Sequence, residues 1–109
     1  IISSLGMGVQ ANLDGLKKGK SGVGPIQHLK TRLSSELLAG EVSCSNDALI
    51  DISGIKNTKG ISRAALLGLI AAKEAIKYEA LQDPNLRTGI LVGTTADSMS
   101  HIELYLKDF

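Results

Sequence analysis

From Ser62 to Leu81 the chain has no proline and one glycine, and its apolar residues recur at helical spacing. Ala65, Leu66, Leu69, Ile70, Ala72 and Ile76 cover a broad face, and small residues fill much of the rest. That pattern predicts a helix packed against neighbours on several sides. Ser62 can cap its start. Lys73, Glu74, Lys77 and Glu79 mark a wetter second half, and Asp83-Pro84-Asn85 ends the element because proline cannot continue it. A chain of 109 residues leaves room for at most one domain around such a helix.

The segments on either side alternate between strand and helix signals. Ile1 to Leu5 reads as the tail of a strand, and Gly6-Met7-Gly8 as a turn. Val9, Leu13 and Leu16 then recur at helical spacing, which predicts a short amphipathic helix over 9–18. Lys17 and Lys18 suit its carboxyl end, and Gly19 can take the left-handed conformation there. A Gly-rich loop follows from Lys20 to Pro25. Leu37 to Val42 is a predicted strand interrupted by Gly40, and Ser43 to Gly60 reads as mostly loop, with an apolar patch at Leu49, Ile50, Ile52 and Ile55. Gly89 to Gly93 is a short continuous apolar run, the pattern of a strand buried on both faces. Thr94 to Asp97 reads as a turn. Ser100 and Glu103 have capping-box spacing, and Met99, Ile102, Leu106 and Phe109 recur at helical spacing after it. Strands and helices in this order imply an α/β fold.

Charge and composition exclude several classes of function. Net charge is +1, so charge points to neither nucleic acid nor an anionic membrane as a partner. Tyr78, Tyr105 and Phe109 are the only aromatic residues, too few for a base-stacking surface. The longest apolar run, Ala64 to Ala72, is about nine residues against the roughly 20 that span a bilayer. The single Cys44 excludes an intrachain disulfide and points to a reducing, cytoplasmic compartment. No basic leader precedes the apolar opening. The chain opens on Ile-Ile without an initiator methionine and closes on Phe, which reads as two cuts through a larger protein.

No local motif carries chemistry convincingly. Gly6-Met7-Gly8-Val9-Gln10-Ala11 matches the G-x-G-x-x-A dinucleotide fingerprint. The acidic residue expected about 20 positions on is missing, and Gln27, His28 and Lys30 stand there instead. A tight strand-to-helix turn explains the glycines better. Gly15 to Ser21 is one residue short of a phosphate-binding P-loop and follows a helix rather than a strand. Cys44, His28 and His101 lack zinc-type pairing, so no metal site is expected. Cys44 has no neighbouring base in sequence that would activate it as a nucleophile.

Taken together, several segments resemble one family. Ile1 to Gly6 is similar to the end of the first strand of condensing enzymes. Gly19 to Ile26 matches their "GxSGIGPI" segment, and Ala39-Gly40-Glu41-Val42 their "AGEV" strand. Ser62-Arg63 with Ala71 to Ala75 resembles their long helix, and Gly89 to Thr95 the strand and loop after it. In order, these resemble the amino-terminal portion of a β-ketoacyl-acyl-carrier-protein synthase. Thr94 to Ser98 and Ser45 to Gly60 depart from the usual pattern of that family.

The resemblance implies an incomplete first half of a thiolase-like fold over 1–109, from a parent that is usually a homodimer. It implies decarboxylative Claisen condensation: an acyl chain held as a thioester on Cys, a malonyl group on acyl carrier protein losing carbon dioxide, and two His stabilising the oxyanion. In that family the Cys and both His lie beyond the portion matched here. No catalytic residue is therefore assigned to this chain, which alone is expected to be inactive, and to be unstable or to associate through exposed sheet edges and a largely apolar helix. No cofactor is implied. Thr95 and Ala96 fall where related enzymes approach the acyl-binding pocket. A non-catalytic partner subunit resembling a chain-length factor and a degradative thiolase acting on coenzyme A remain alternatives, with a dinucleotide-binding half-domain behind them.

Overall fold

Ser4 and Leu5 turn the chain back on itself in the computed structural model, which describes residues 1–77, 84–85, 87, 89–94 and 106. Strand β1 (Ile2–Ser3) pairs antiparallel with β2 (Gly6–Met7), with Ile2 opposite Met7 and Ser3 opposite Gly6. The turn therefore comes two residues earlier than the glycines suggest, and Gly6 belongs to a strand. The Ser3 hydroxyl accepts the Leu5 N–H at 3.1 Å, and the Gly8 N–H reaches the Ile1 carbonyl at 2.7 Å. A local serine turn thus competes successfully with the glycine pair for the reversal.

Helix α1 (Gly8–Lys17) starts directly after β2, one residue from its expected bounds. It ends as its sequence dictates. The Gly19 N–H donates to Leu16 O and the Lys20 N–H to Gly15 O, with Gly19 at φ +61°. These two bonds are the Schellman pair that satisfies the last carbonyls of a helix. The buried face of α1 is not the expected one. Asn12 and Gly15 are buried, whereas Val9, Leu13 and Leu16 are exposed. At Gly15 the helix backbone runs so close to Leu5 that an added Cβ would sit 3.4 Å from its side chain.

Strand β3 (Gly24–Pro25) pairs antiparallel with β4 (Leu38–Ala39), Gly24 opposite Ala39 and Pro25 opposite Leu38. The predicted strand over 37–42 thus keeps two residues in its ladder. Helix α2 (Asn46–Ser53) occupies a region whose polar composition reads as loop. Its start is capped: the Ser45 hydroxyl accepts the Ala48 N–H at 3.2 Å. Asp47 adds negative charge to the first turn. Leu49 is fully buried, and so is Ser53, whose hydroxyl folds back to the Ile50 carbonyl at 2.7 Å.

Helix α3 (Arg63–Ala75) opens on Ser62, whose Oγ accepts the Ala65 N–H at 3.1 Å. It closes earlier than the periodicity predicts. The Ile76 N–H bonds to Ala72 O, and the Lys77 N–H to Glu74 O, a tightened last turn. Residues 78–81 of the predicted helix lie outside the described residues, as does the predicted helix around Met99 and Ile102. The Lys73 ammonium donates to the Ser53 carbonyl, placing a cation at the carboxyl end of α2. Of the α3 residues, Leu66 is the one buried. Replacing Ser62 with alanine is expected to cost about 1 kcal/mol, read as a lower urea midpoint of the helical circular-dichroism signal.

The result is a small mixed α/β chain with three helices and two short antiparallel sheets among its described residues. It divides into two compact units, Ile1–Leu49 and Ile50–Phe109. One expectation fails clearly: Gly89 to Gly93 forms no strand. Ile90, Leu91 and Val92 are 66%, 103% and 84% exposed. An apolar run becomes a buried strand only where neighbouring strands meet it, and no ladder among the described residues does. Exposed apolar groups on this scale favour association. Sedimentation is expected to show mass rising with concentration, and a strictly monomeric boundary would contradict this.

Candidate functional site

In the first unit, the β3–β4 pairing and the Gly-rich segment before it build a cleft. Its volume is about 220 Å³, and its polar lining comes from Ser4, Ser21, Gln27, Glu41 and Ser43. Gly22 forms the closest wall. A Cβ at Gly22 would fall 2.2 Å from Ser4 Oγ and 2.9 Å from Ser4 Cβ. Only glycine lets the loop backbone approach the hairpin turn this closely. Gly40 lies near the same hydroxyl, with a Cβ there 3.3 Å from Ser4 Oγ.

Glu41 has the most distinctive chemistry of these residues. Its Oε2 accepts the backbone N–H groups of Gln27 at 2.7 Å and His28 at 2.9 Å, and its Oε1 accepts that of Leu29 at 2.8 Å. Three consecutive main-chain donors thus converge on one carboxylate. The Gln27 bond and then the His28 bond hold this carboxyl below its ordinary value of 4.5. Partial burial opposes them, and the Leu29 bond and the charge on His28 add to them.

A second depression lies in the second unit, on α3. It is apolar, about 320 Å³ in volume, and bordered by Ala64, Gly68, Ala72, Ile90, Val92 and Thr94. Ala64, Gly68 and Ala72, one helical turn apart, line it as a trough along α3 together with Leu69.

No protein-family model matches this chain, and no curated protein or solved structure does either.

Thr95 and Ala96, the residues the sequence singles out for an acyl pocket, lie outside the described residues, as does His101. Cys44 is a half-buried thiol in no disulfide. Among the described residues no cluster of three or more His, Cys, Asp and Glu side chains could hold a metal ion. None of their helices is long and apolar enough to cross a membrane. The glycines of the dinucleotide-like pattern have a structural role. Gly6 sits in β2, Gly8 opens α1, and the carbonyls of both accept from Asn12 Nδ2, at 3.0 and 2.8 Å. The near P-loop is the carboxyl end of α1 with its Schellman turn.

Sequence reasoning singled out neither Ser4 nor Gln27 as a site residue and treated Glu41 only as part of a motif. A signal was present: a glutamate directly after Gly40, inside the predicted strand 37–42. Which backbone donors it would meet depends on the β3–β4 register, and that is a non-local property.

Proposed function

We propose that this chain is the amino-terminal portion of a β-ketoacyl-acyl-carrier-protein synthase, an incomplete first half of a thiolase-like fold. Its parent condenses an enzyme-bound acyl thioester with malonyl carrier protein, releasing carbon dioxide and leaving a β-ketoacyl carrier thioester. The observation that carries the reading is the ordered series of motifs, above all Gly19 to Ile26 and Ala39 to Val42. The geometry adds support, because these two segments pair as β3 and β4 and Glu41 closes on the residues just after the first. A family signature is expected to fall on residues that hold one another in place.

The apolar trough on α3 supports the acyl-pocket assignment. Thr94 borders it and directly precedes Thr95 and Ala96 in sequence. On this reading the parent works in the cytoplasm as a homodimer with acyl carrier protein as partner. Sequencing the complete polypeptide that contains this chain and assaying it for malonyl-carrier decarboxylation tests the proposal. A continuation with a Cys at a strand-to-helix turn and two His, together with decarboxylation lost on Cys→Ser substitution, is the expected result. A continuation without that Cys, or with neither acyl transfer nor decarboxylation, would overturn the catalytic assignment.

A further inference from the structure

The loop 26–37 leaves the sheet at β3 and returns at β4, and its tether is unusual. Among the described residues, its side-chain hydrogen bonds to the rest of the chain all end on Glu41. Its other bonds are internal: Leu33 N–H to Thr31 Oγ, and Glu36 and Leu37 N–H to Leu33 O. The near end of the loop, Gln27 to Leu29, is therefore fixed by one carboxylate. That carboxylate also lines the cleft beside Ser4 and Gln27.

We propose that Glu41 is a latch, whose charged carboxylate holds the start of the 26–37 loop against the cleft and whose protonation releases it. The chemistry of the acceptor explains why. A carboxylate offers about four lone-pair sites and no donor, so it can take three N–H groups at once. Protonation converts one oxygen into a donor aimed at donors. Glutamine has the same conflict permanently, because its amide nitrogen brings two further N–H groups. Among groups around Glu41, the imidazole of His28 is the one whose positive charge would favour the carboxylate. The other residues lining the cleft, from the Ser4 turn, the Ser21–Pro25 segment and the Ala39–Ser43 segment, contain no second ionisable group. Lys30, Arg32 and Glu36 lie farther along the loop itself.

The sign follows from the direction of the shift. The carboxyl is depressed in the folded chain, so the latch is closed above its unfolded value and opens as pH falls through the lower folded one. This inference is independent of any condensing activity. Nitrogen-15 spectra and amide exchange of the full 109-residue chain test it between about pH 7 and pH 3. The amides of Gln27, His28 and Leu29 are expected to shift together with the Glu41 carboxyl carbon. Their exchange, corrected for intrinsic rate, should accelerate about tenfold while α1 amides stay protected. Glu41→Gln should show the released state already at neutral pH, and Glu41→Asp should retain a titrating response. If the three amides ignore the Glu41 titration, or Glu41→Gln leaves them protected, the latch is overturned. Loss of α1 protection at the same midpoint would overturn it as well, by showing unfolding of the whole unit.

Discussion

Replacing Asn12 with leucine is expected to destabilise the chain by about 3 kcal/mol, from three lost hydrogen bonds at about 1 kcal/mol each. Asn12 is 7% exposed on the buried side of α1. Its Oδ1 accepts the Ser3 hydroxyl, and its Nδ2 donates to the Gly6 and Gly8 carbonyls. One side chain thereby joins β1, β2 and the first turn of α1. Leucine matches the bulk but offers no polar atom, so the Ser3 hydroxyl is left without its acceptor. Aspartate is a sharper probe. It keeps an acceptor for Ser3 but turns a carboxylate toward two carbonyl oxygens, and should cost at least as much as leucine. Leu13→Ser, one residue along and exposed, should change stability by no more than about 0.5 kcal/mol. Urea unfolding of the three variants decides the matter. Equal, small effects at positions 12 and 13 would mean that the hairpin is not anchored through Asn12.

This centre was hidden in the sequence for a physical reason. The apolar stripe Val9, Leu13, Leu16 predicts the helix correctly and its buried face wrongly, because the face that meets the hairpin is set by the hydrogen bonds of Asn12 and by the close approach of Gly15 to Leu5. Helix signals that act within one turn were legible: Ser62 as a cap, Gly19 as a stop and Lys17 in the last turn. Helix α2 was missed because its polar flanks dominate the composition, although the Ser45 cap and Leu49 stand in the sequence. Strands were less legible. Gly89 to Gly93 has the composition of a buried strand, but burial depends on partners that no window of sequence contains. The cleft shares that dependence. Ser4, Gln27 and Glu41 are brought together by two hairpins, and neither register can be read from their own residues.

Gly22→Ala is the second substitution with a large expected effect, a loss of about 1–3 kcal/mol from forcing atoms into a filled space. The clash with Ser4 Oγ, at 2.2 Å, could be relieved by rotating the serine. The contacts with Ser4 Cβ at 2.9 Å and the Ser4 carbonyl carbon at 3.1 Å could not, because they move only with the Ser4–Leu5 turn. Gly40 also lies close to the same hydroxyl. The hairpin turn must therefore retreat, widening the cleft at the wall that Gly22 forms. Gly40→Ala should be milder, since its closest contacts with Ser4 are 3.3 and 3.8 Å. Ser4→Gly removes the two side-chain atoms that meet the new methyl group, so it should recover stability in the Gly22→Ala background while costing a little on its own. That non-additivity, expected at about 1 kcal/mol in a double-mutant cycle, distinguishes a steric contact from a general loss of loop flexibility. If Ser4→Gly and Gly22→Ala simply add, the two residues do not touch, and the cleft is not closed at that wall.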